Sequence, residues 1–260
     1  MSLSAEPQTL AIILLVFLFA GTVKGIVGLG LPTISLALLL LVFDLPTAMV
    51  LLLVPSFVTN IWQALSTGQG EGGSERKSGQ TRRIWLQVWP FMLPATLMVW
   101  LGGQALLYID FSYLTRLLGA LLIVYGITGF AGVRLDISKA PSGWHSWIAV
   151  VVGSVNGVLT GMTGSFTVPG VMYLQALNLS RDELMQAMGM LFSLSTLGLA
   201  IALQGNGLFA AEQGVMSLAG LLPALLGMYI GQRIRQKLSP EMFKKALFTA
   251  LFLLGLYIVI

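Results

Sequence analysis

The sequence predicts an all-α polytopic membrane protein with two inverted repeats, each a broken, re-entrant helical hairpin followed by three transmembrane helices. Three observations lead to this prediction. Hydrophobic residues make up 56% of the 260-residue chain and charged residues only 9%, whereas about 25% of residues are charged in a typical soluble domain. Two long apolar runs, 10–43 and 146–177, are interrupted by glycines and then by a proline. In addition, the two loops richest in Lys and Arg would lie on opposite sides of the membrane if all eight apolar segments crossed it, whereas basic loops are expected on the cytoplasmic side.

The two interrupted runs predict the hairpins, over residues 8–43 and 144–178. The first interruption extends from Gly21 to Pro32 and the second extends from Gly153 to Pro169. Both runs exceed the ~20 residues that one spanning helix needs. Broken backbone at membrane depth is tolerated only where it is buried in protein or lines a water-filled cavity. Paired broken segments in corresponding halves therefore point to the binding site of a transporter.

Six further apolar segments approach the length of a spanning helix. The first repeat, 1–133, contains segments 45–65, 85–108 and 112–133, and the second, 144–260, contains segments 183–203, 214–232 and 242–260. A polar linker, 134–143, separates the repeats, and the Gly/Ser/charged stretch 66–84 predicts a flexible loop.

An internal duplication relates the two halves. Leu93-Pro94-Ala95 is echoed by Leu222-Pro223-Ala224 at an offset of 129 residues, and the glycine breaks repeat at an offset of 132. That second offset makes Asn156 the counterpart of Lys24.

The basic residues predict the sidedness of the chain. The loop after the second segment and the loop before the last one are both rich in Lys and Arg: Arg76, Lys77, Arg82 and Arg83, then Arg233, Arg235, Lys237, Lys244 and Lys245. Loops of this kind face the cytoplasm. Two hairpins that return to their starting side place both loops and the linker inside and both termini outside. Eight plain crossings with a weak charge bias are the alternative.

Composition also excludes several functions. The chain has no cysteine and one histidine, His145, in the polar linker, and no Asp or Glu occupies the middle of an apolar segment. We therefore expect no metal site, no cofactor and no enzymatic acid–base chemistry. The net charge of +4 lies mostly in short loops and reports orientation, not nucleic-acid binding. The expected setting is multi-pass in a bacterial cytoplasmic (inner) membrane, with a small anion as partner; a homodimer is left open.

The first break carries the strongest candidate for a binding residue, Lys24. An ionisable residue at membrane depth is a functional hypothesis by default, although it can also snorkel or donate to loop carbonyls for structural reasons. Glycines permit close backbone approach, and a helix that restarts near Pro32 or Pro169 directs free N–H groups at the gap. The predicted anion-binding residues are Lys24, Gly28, Gly30, Thr33, Asn156, Thr160, Gly161, Thr163, Gly164 and Ser165.

The remaining polar and small residues have weaker predictions. Gly21 with Gly25, and Gly153 with Gly157, have the spacing of tight helix packing. Five polar side chains line a path or, more commonly, make interhelical hydrogen bonds: Ser56, Asn60, Gln63, Ser193 and Thr196. Four tryptophans predict an interfacial belt at the cytoplasmic boundary: Trp85, Trp89, Trp144 and Trp147.

The glycine breaks Gly21 to Pro32 and Gly153 to Pro169, the duplicated layout and the short basic loops resemble the TauE/SafE family of sulfite and organosulfonate exporters, within the 4-toluene sulfonate uptake permease superfamily. The resemblance covers essentially the whole chain. It implies export of sulfite, sulfoacetate or a related sulfonate from the cytoplasm. The alternative is a proton-coupled uptake permease for an anion or another small polar solute.

Overall fold

The computed structural model describes residues 7–66, 74–132, 136–137, 141–235 and 240–260. Within these ranges the regular structure is helical throughout. A 3₁₀ turn at Ser142–Trp144 precedes the second half. The α-helices are α1 Pro7–Val27, α2 Leu31–Leu39, α3 Leu45–Ser66, α4 Ser74–Tyr108, α5 Phe111–Phe130, α6 His145–Thr163, α7 Gly170–Ala176, α8 Arg181–Gly205, α9 Ala211–Arg235 and α10 Pro240–Val259.

Eight of the described helices are long and apolar enough to cross a membrane, namely α1, α3 to α6 and α8 to α10. The protein is therefore a polytopic membrane protein. α1 and α6 have 21 and 19 residues, whereas α2 and α7 have nine and seven. Each predicted hairpin thus consists of one full-length helix and one short helix.

The breaks are narrower than the sequence suggested. α1 continues through Gly21 and Gly25 to Val27, and α6 continues to Thr163, so only residues 28–30 and 164–169 interrupt the helices. Glycine lowers helix propensity, but tertiary packing overrides that preference.

The glycines inside α1 and α6 bring helix backbones into close contact. A methyl group at Gly21 or Gly25 would overlap the backbone carbonyl oxygen of a residue in α9, and one at Gly153 or Gly157 would overlap a carbonyl oxygen in α4. These contacts confirm that the four glycines are packing residues. Gly161, which we expected at the binding site, packs in the same way against α4.

The same contacts correct the register of the internal repeat. Gly21 packs on Ala224, and its structural counterpart Gly157 packs on Ala95. The offset between α4 and α9 is then 129 residues, as predicted, but that between α1 and α6 is 136 instead of 132. The pairs Gly25 on Met228 and Gly161 on Val99 give the same two offsets. The glycines that follow α1 and α6 in a left-handed conformation, Gly28 (φ 85°) and Gly164 (φ 72°), are also 136 residues apart.

The counterpart of Lys24 is therefore Thr160, and the pairing of Lys24 with Asn156 was wrong by one helical turn. Gly21 and Gly25 are four residues apart, as are Gly153, Gly157 and Gly161, so the sequences align almost equally well when one is shifted by a turn. The contacts with α9 and α4 remove this ambiguity.

Successive contacts show which helices run in the same direction. The glycine contacts advance along both partners together, so α1 runs parallel to α9 and α6 runs parallel to α4. α3 is also parallel to α9, because Gln213 donates to Thr47 and Ser217, one turn later, donates to the carbonyl of Leu51. α8 is parallel to α4, because Gln186 donates to Thr81 and, near the far end of both helices, Asn206 donates to the carbonyl of Gly103.

α8 and α9 must run in opposite directions. Only residues 206–210 join them, and five residues span at most about 20 Å, whereas the 25-residue α8 is about 37 Å long. α1, α3 and α9 therefore run one way and α4, α6 and α8 run the other way. Because α1 and α3 are parallel, the chain returns after α1 to the side where it began, and the same holds after α6. These are the directions that the inverted topology requires; which end faces the cytoplasm stays a prediction.

α4 begins earlier than expected, at Ser74 and not at residue 85. The stretch 66–84 was predicted as a flexible loop, and of it only 67–73 lies outside the described residues. The sequence from Glu75 to Arg83 contains mostly good helix formers. Its last turn is anchored to α8 by the Arg83–Glu183 ion pair.

The tryptophans of the predicted belt lie near the start of α4 and the start of α6, which the parallel packing places at the same end of the bundle. Trp85 and Trp89 are about half exposed, and Trp144 and Trp147 are more exposed still. Their positions suit a membrane–water interface.

Candidate functional site

The two breaks meet inside the protein. The hydroxyl of Thr33, in the first turn of α2, lies 2.5 Å from the hydroxyl of Thr167, which precedes α7. Both residues are 3% exposed. Gly30, which precedes α2, has φ 107°, a left-handed conformation that favours glycine. The second break therefore makes a buried contact with the first turn of α2, directly after the first break.

Lys24 lies in the last turn of α1 and is 3% exposed. Its Nζ donates a 3.1 Å hydrogen bond to Thr59 Oγ1 and a second, shorter one to Asn60 Oδ1. Both partners belong to α3 and both are neutral. The structural hypothesis for Lys24 had placed loop carbonyls around it, but side chains of a neighbouring helix hold it instead.

Asn156 is fully buried in α6. Its Oδ1 accepts a 2.8 Å hydrogen bond from the backbone N–H of Gly170, the first residue of α7. Its Nδ2 has no hydrogen-bond partner in the described part of the chain. Asn60 is in the same condition, because Lys24 occupies its Oδ1 and its Nδ2 has no partner among the described residues.

The other polar residues of the second break bond to the backbone around them. Thr160 donates to the carbonyl of Ser165 at 3.0 Å, and Thr163 donates to the carbonyl of Leu159 at 2.6 Å. The backbone N–H of Ser165 donates to Thr163 at 3.3 Å. These bonds fix the turn at Gly164. At the first break, Gly28 lies against the side chain of Met185 in α8.

Of the five predicted path residues, three lie on α3 and two lie on α8. Ser56 and Asn60 are fully buried on α3. Gln63 donates to the carbonyl of Met185 and links α3 to α8. Ser193 and Thr196 donate to carbonyls one turn earlier in α8. Further buried polar residues were absent from the predicted list, among them Thr59, Thr167 and Ser195.

A cavity of about 300 Å³ lies at the end of the bundle where α4 and α6 begin. Its lining includes Gln87 of α4, His145 and Ala149 of α6, Tyr173 of α7, and Asn178. Ala149 precedes Asn156 by two helical turns in α6, a rise of about 10 Å. The cavity therefore lies beside both ends of the second hairpin, and Ile137 of the linker also lines it.

No group of three or more His, Cys, Asp or Glu side chains in the described residues is placed to hold a metal ion.

Comparison with known proteins places the chain in a family. No curated protein and no solved structure matches it. A family model described as sulfite exporter TauE/SafE matches residues 13–258, nearly the whole chain. The protein therefore belongs to the TauE/SafE sulfite exporter family.

Proposed function

We propose that this protein exports a small sulfur oxyanion, sulfite or a sulfonate such as sulfoacetate, across a bacterial inner membrane, and binds it where the two hairpins meet. The observation that carries the proposal is the buried contact between Thr33 and Thr167. It joins the second break to the turn that follows the first break, and each hairpin brings a buried polar residue, Lys24 and Asn156. Family membership supports the substrate class.

The charge distribution supports an anionic ligand. The buried charged residues in the described chain are Lys24 and Glu183. Glu183 pairs with Arg83, whereas the described hydrogen-bond partners of Lys24 are the neutral side chains of Thr59 and Asn60. Burying an ammonium group without an opposite charge costs free energy. A bound anion offsets that cost, whereas a cationic substrate would increase it.

The cavity supports access from the cytoplasm. It lies at the end of the bundle that carries the basic loops, the end that the charge pattern assigns to the cytoplasm. An anion that entered there would lie beside the start of α6, about two helical turns from Asn156. Export of an anion then follows the membrane potential, which contributes ~2.3 kcal/mol per charge per 100 mV.

Flux in proteoliposomes tests the proposal. An imposed potential without a pH gradient should drive saturable sulfite or sulfoacetate flux, because no Asp, Glu or His lies in the middle of an apolar segment to carry a proton. Flux driven only by a pH gradient, beyond what protonation of the anion explains, would favour the proton-coupled permease. Absence of flux and binding for all these anions would refute the proposed function.

A further inference from the structure

The two buried asparagines have orientations that their partners determine. Lys24 Nζ and the backbone N–H of Gly170 can only donate hydrogen bonds. Each must therefore face the oxygen of its asparagine and not the nitrogen, so neither amide can be turned over without losing its bond. Asn60 lies in the first half of the chain and Asn156 in the second.

Because the position of each Oδ1 is determined by its donor, the position of each Nδ2 is determined as well. Each Nδ2 carries two N–H groups and accepts nothing. Both side chains are fully buried, and neither nitrogen has an acceptor among the described residues. Buried donors without a partner are rare and costly, so a ligand that brings acceptors to them is favoured.

We propose that Asn60 and Asn156 make the substrate site selective for oxyanions that carry no proton, and that they thereby distinguish sulfonates from hydrogen phosphate and protonated phosphonates. This inference rests on the proposed function, because it assumes that an oxyanion binds at the hairpins. All three oxygens of a sulfonate accept hydrogen bonds. A phosphonate monoanion has the same shape and charge, but one oxygen carries a proton and points a donor at the amide donors.

The surroundings of Asn60 and Asn156 share one property that matters for this selection. The described side-chain partner of Asn60 is Lys24, and that of Asn156 is the backbone N–H of Gly170. Neither asparagine therefore has a carboxylate among its described partners. A ligand proton therefore has no carboxylate to receive it there. One lost hydrogen bond with an unpaired buried donor corresponds to about a 10- to 100-fold loss of affinity.

Methanesulfonate and methylphosphonate form the matched pair of probes. Their binding to the purified full-length protein is measured by titration calorimetry below and above the second ionisation of the phosphonate. Below it, both are monoanions and methanesulfonate should bind about 10- to 100-fold more tightly. Above it, the phosphonate loses its proton and the gap should narrow, while methanesulfonate at both pH values reports any change in the protein.

The affinities of the wild-type protein for methanesulfonate and methylphosphonate are sufficient to test the proposed selectivity. Equal affinity for the two monoanions would overturn it while leaving the proposed function in place. If neither probe nor sulfite binds, the proposed function fails instead.

An Asn156→Asp variant tests the assignment to a residue. One carboxylate oxygen can still accept from Gly170, and the other can accept the P–OH proton, so the preference for methanesulfonate should fall. Gln175→Glu, at an exposed position of α7 in the same hairpin, adds the same charge and should leave the preference unchanged. If Asn156→Asp does not fold, Asn60→Asp gives the same test, because Lys24 pairs with the new carboxylate. An unchanged preference in a folded variant would overturn the assignment.

Discussion

Replacing Lys24 with methionine separates a substrate-binding role from a structural one. Methionine has similar length and no charge. In the protein without ligand, the change removes two hydrogen bonds and leaves acceptors on Thr59 and Asn60 without their donor, a cost of about 1–3 kcal/mol. It also removes the need to bury an ammonium group among neutral partners, a penalty of several kcal/mol. We expect these terms to offset each other, so the melting temperature without ligand should not fall.

Anion binding should respond differently. A charge-assisted hydrogen bond contributes about 1.5–3 kcal/mol, so affinity for sulfite or sulfoacetate should fall about 10- to 150-fold. Ligand at 100 times the wild-type Kd stabilises the wild-type protein by about 2.7 kcal/mol. A variant that binds 100-fold more weakly would gain only about 0.4 kcal/mol from the same concentration. Melting curves with and without ligand therefore show the loss, and titration calorimetry measures it.

Lys245→Met in α10 is the matched control, because Lys245 is exposed; neither its melting temperature nor its affinity should change. The reasoning is refuted if Lys24→Met melts at a lower temperature without ligand and binds the anion as tightly as the wild type. Lys24 would then hold α1 against α3 and have no part in binding.

Three further predictions concern the fold and its orientation. Gly161→Ala should destabilise the protein by about 1–3 kcal/mol, because the methyl group would overlap the backbone of α4, whereas Gly143→Ala, which meets open space, should leave the melting temperature unchanged. Ser217→Ala should cost about 1–3 kcal/mol in the same assay, because its hydroxyl donates to the carbonyl of Leu51 and accepts from the N–H of Val54; no loss would mean that these groups find other partners. Single cysteines at Gly143 and Ser239 should resist an impermeant thiol reagent in intact cells and one at Ala210 should react, and outside labelling of Ser239→Cys would contradict the inverted topology.

Composition and hydropathy were sufficient to predict the fold class, because the bilayer imposes its length and polarity on each spanning segment. The glycine and proline pattern also located both breaks, although it made them too wide. A sequence does not show which glycines lie against a neighbouring backbone, and those contacts are what keep Gly21, Gly25, Gly153 and Gly157 helical.

Lys24 could be singled out from the sequence because it is the one cation deep in an apolar run. Its partners could not be predicted, because they depend on which face of α3 meets α1. Thr59 and Asn60 are adjacent in the sequence, and both accept from Lys24. Thr167 carried a weak signal, since it lies two residues before Pro169 in the second break. Ser195 had no signal apart from its place beside Thr196.

Glycine packing explains why the two breaks come together. Gly21 and Gly25 hold α1 along α9, and the left-handed Gly28 follows three residues after the last of these contacts. Gly157 and Gly161 hold α6 along α4, and Gly164 follows at the same interval. Each break therefore begins three residues after the last glycine contact of its helix, and Thr167 in the second break meets Thr33 just after the first break.

The glycine packing is therefore alike in the two halves, whereas the polar residues at corresponding positions differ. At the corrected register the second half places Thr160, a neutral residue that bonds to its own turn, where the first half places Lys24. Two lysines facing a common site would repel each other and would require a ligand with more negative charge. One lysine beside neutral amide and hydroxyl groups matches an anion of low charge, such as a sulfonate. If that match is the reason for the asymmetry, Thr160→Lys should shift preference from sulfonate monoanions toward dianions, and an unchanged preference in a folded variant would place Thr160 outside the site.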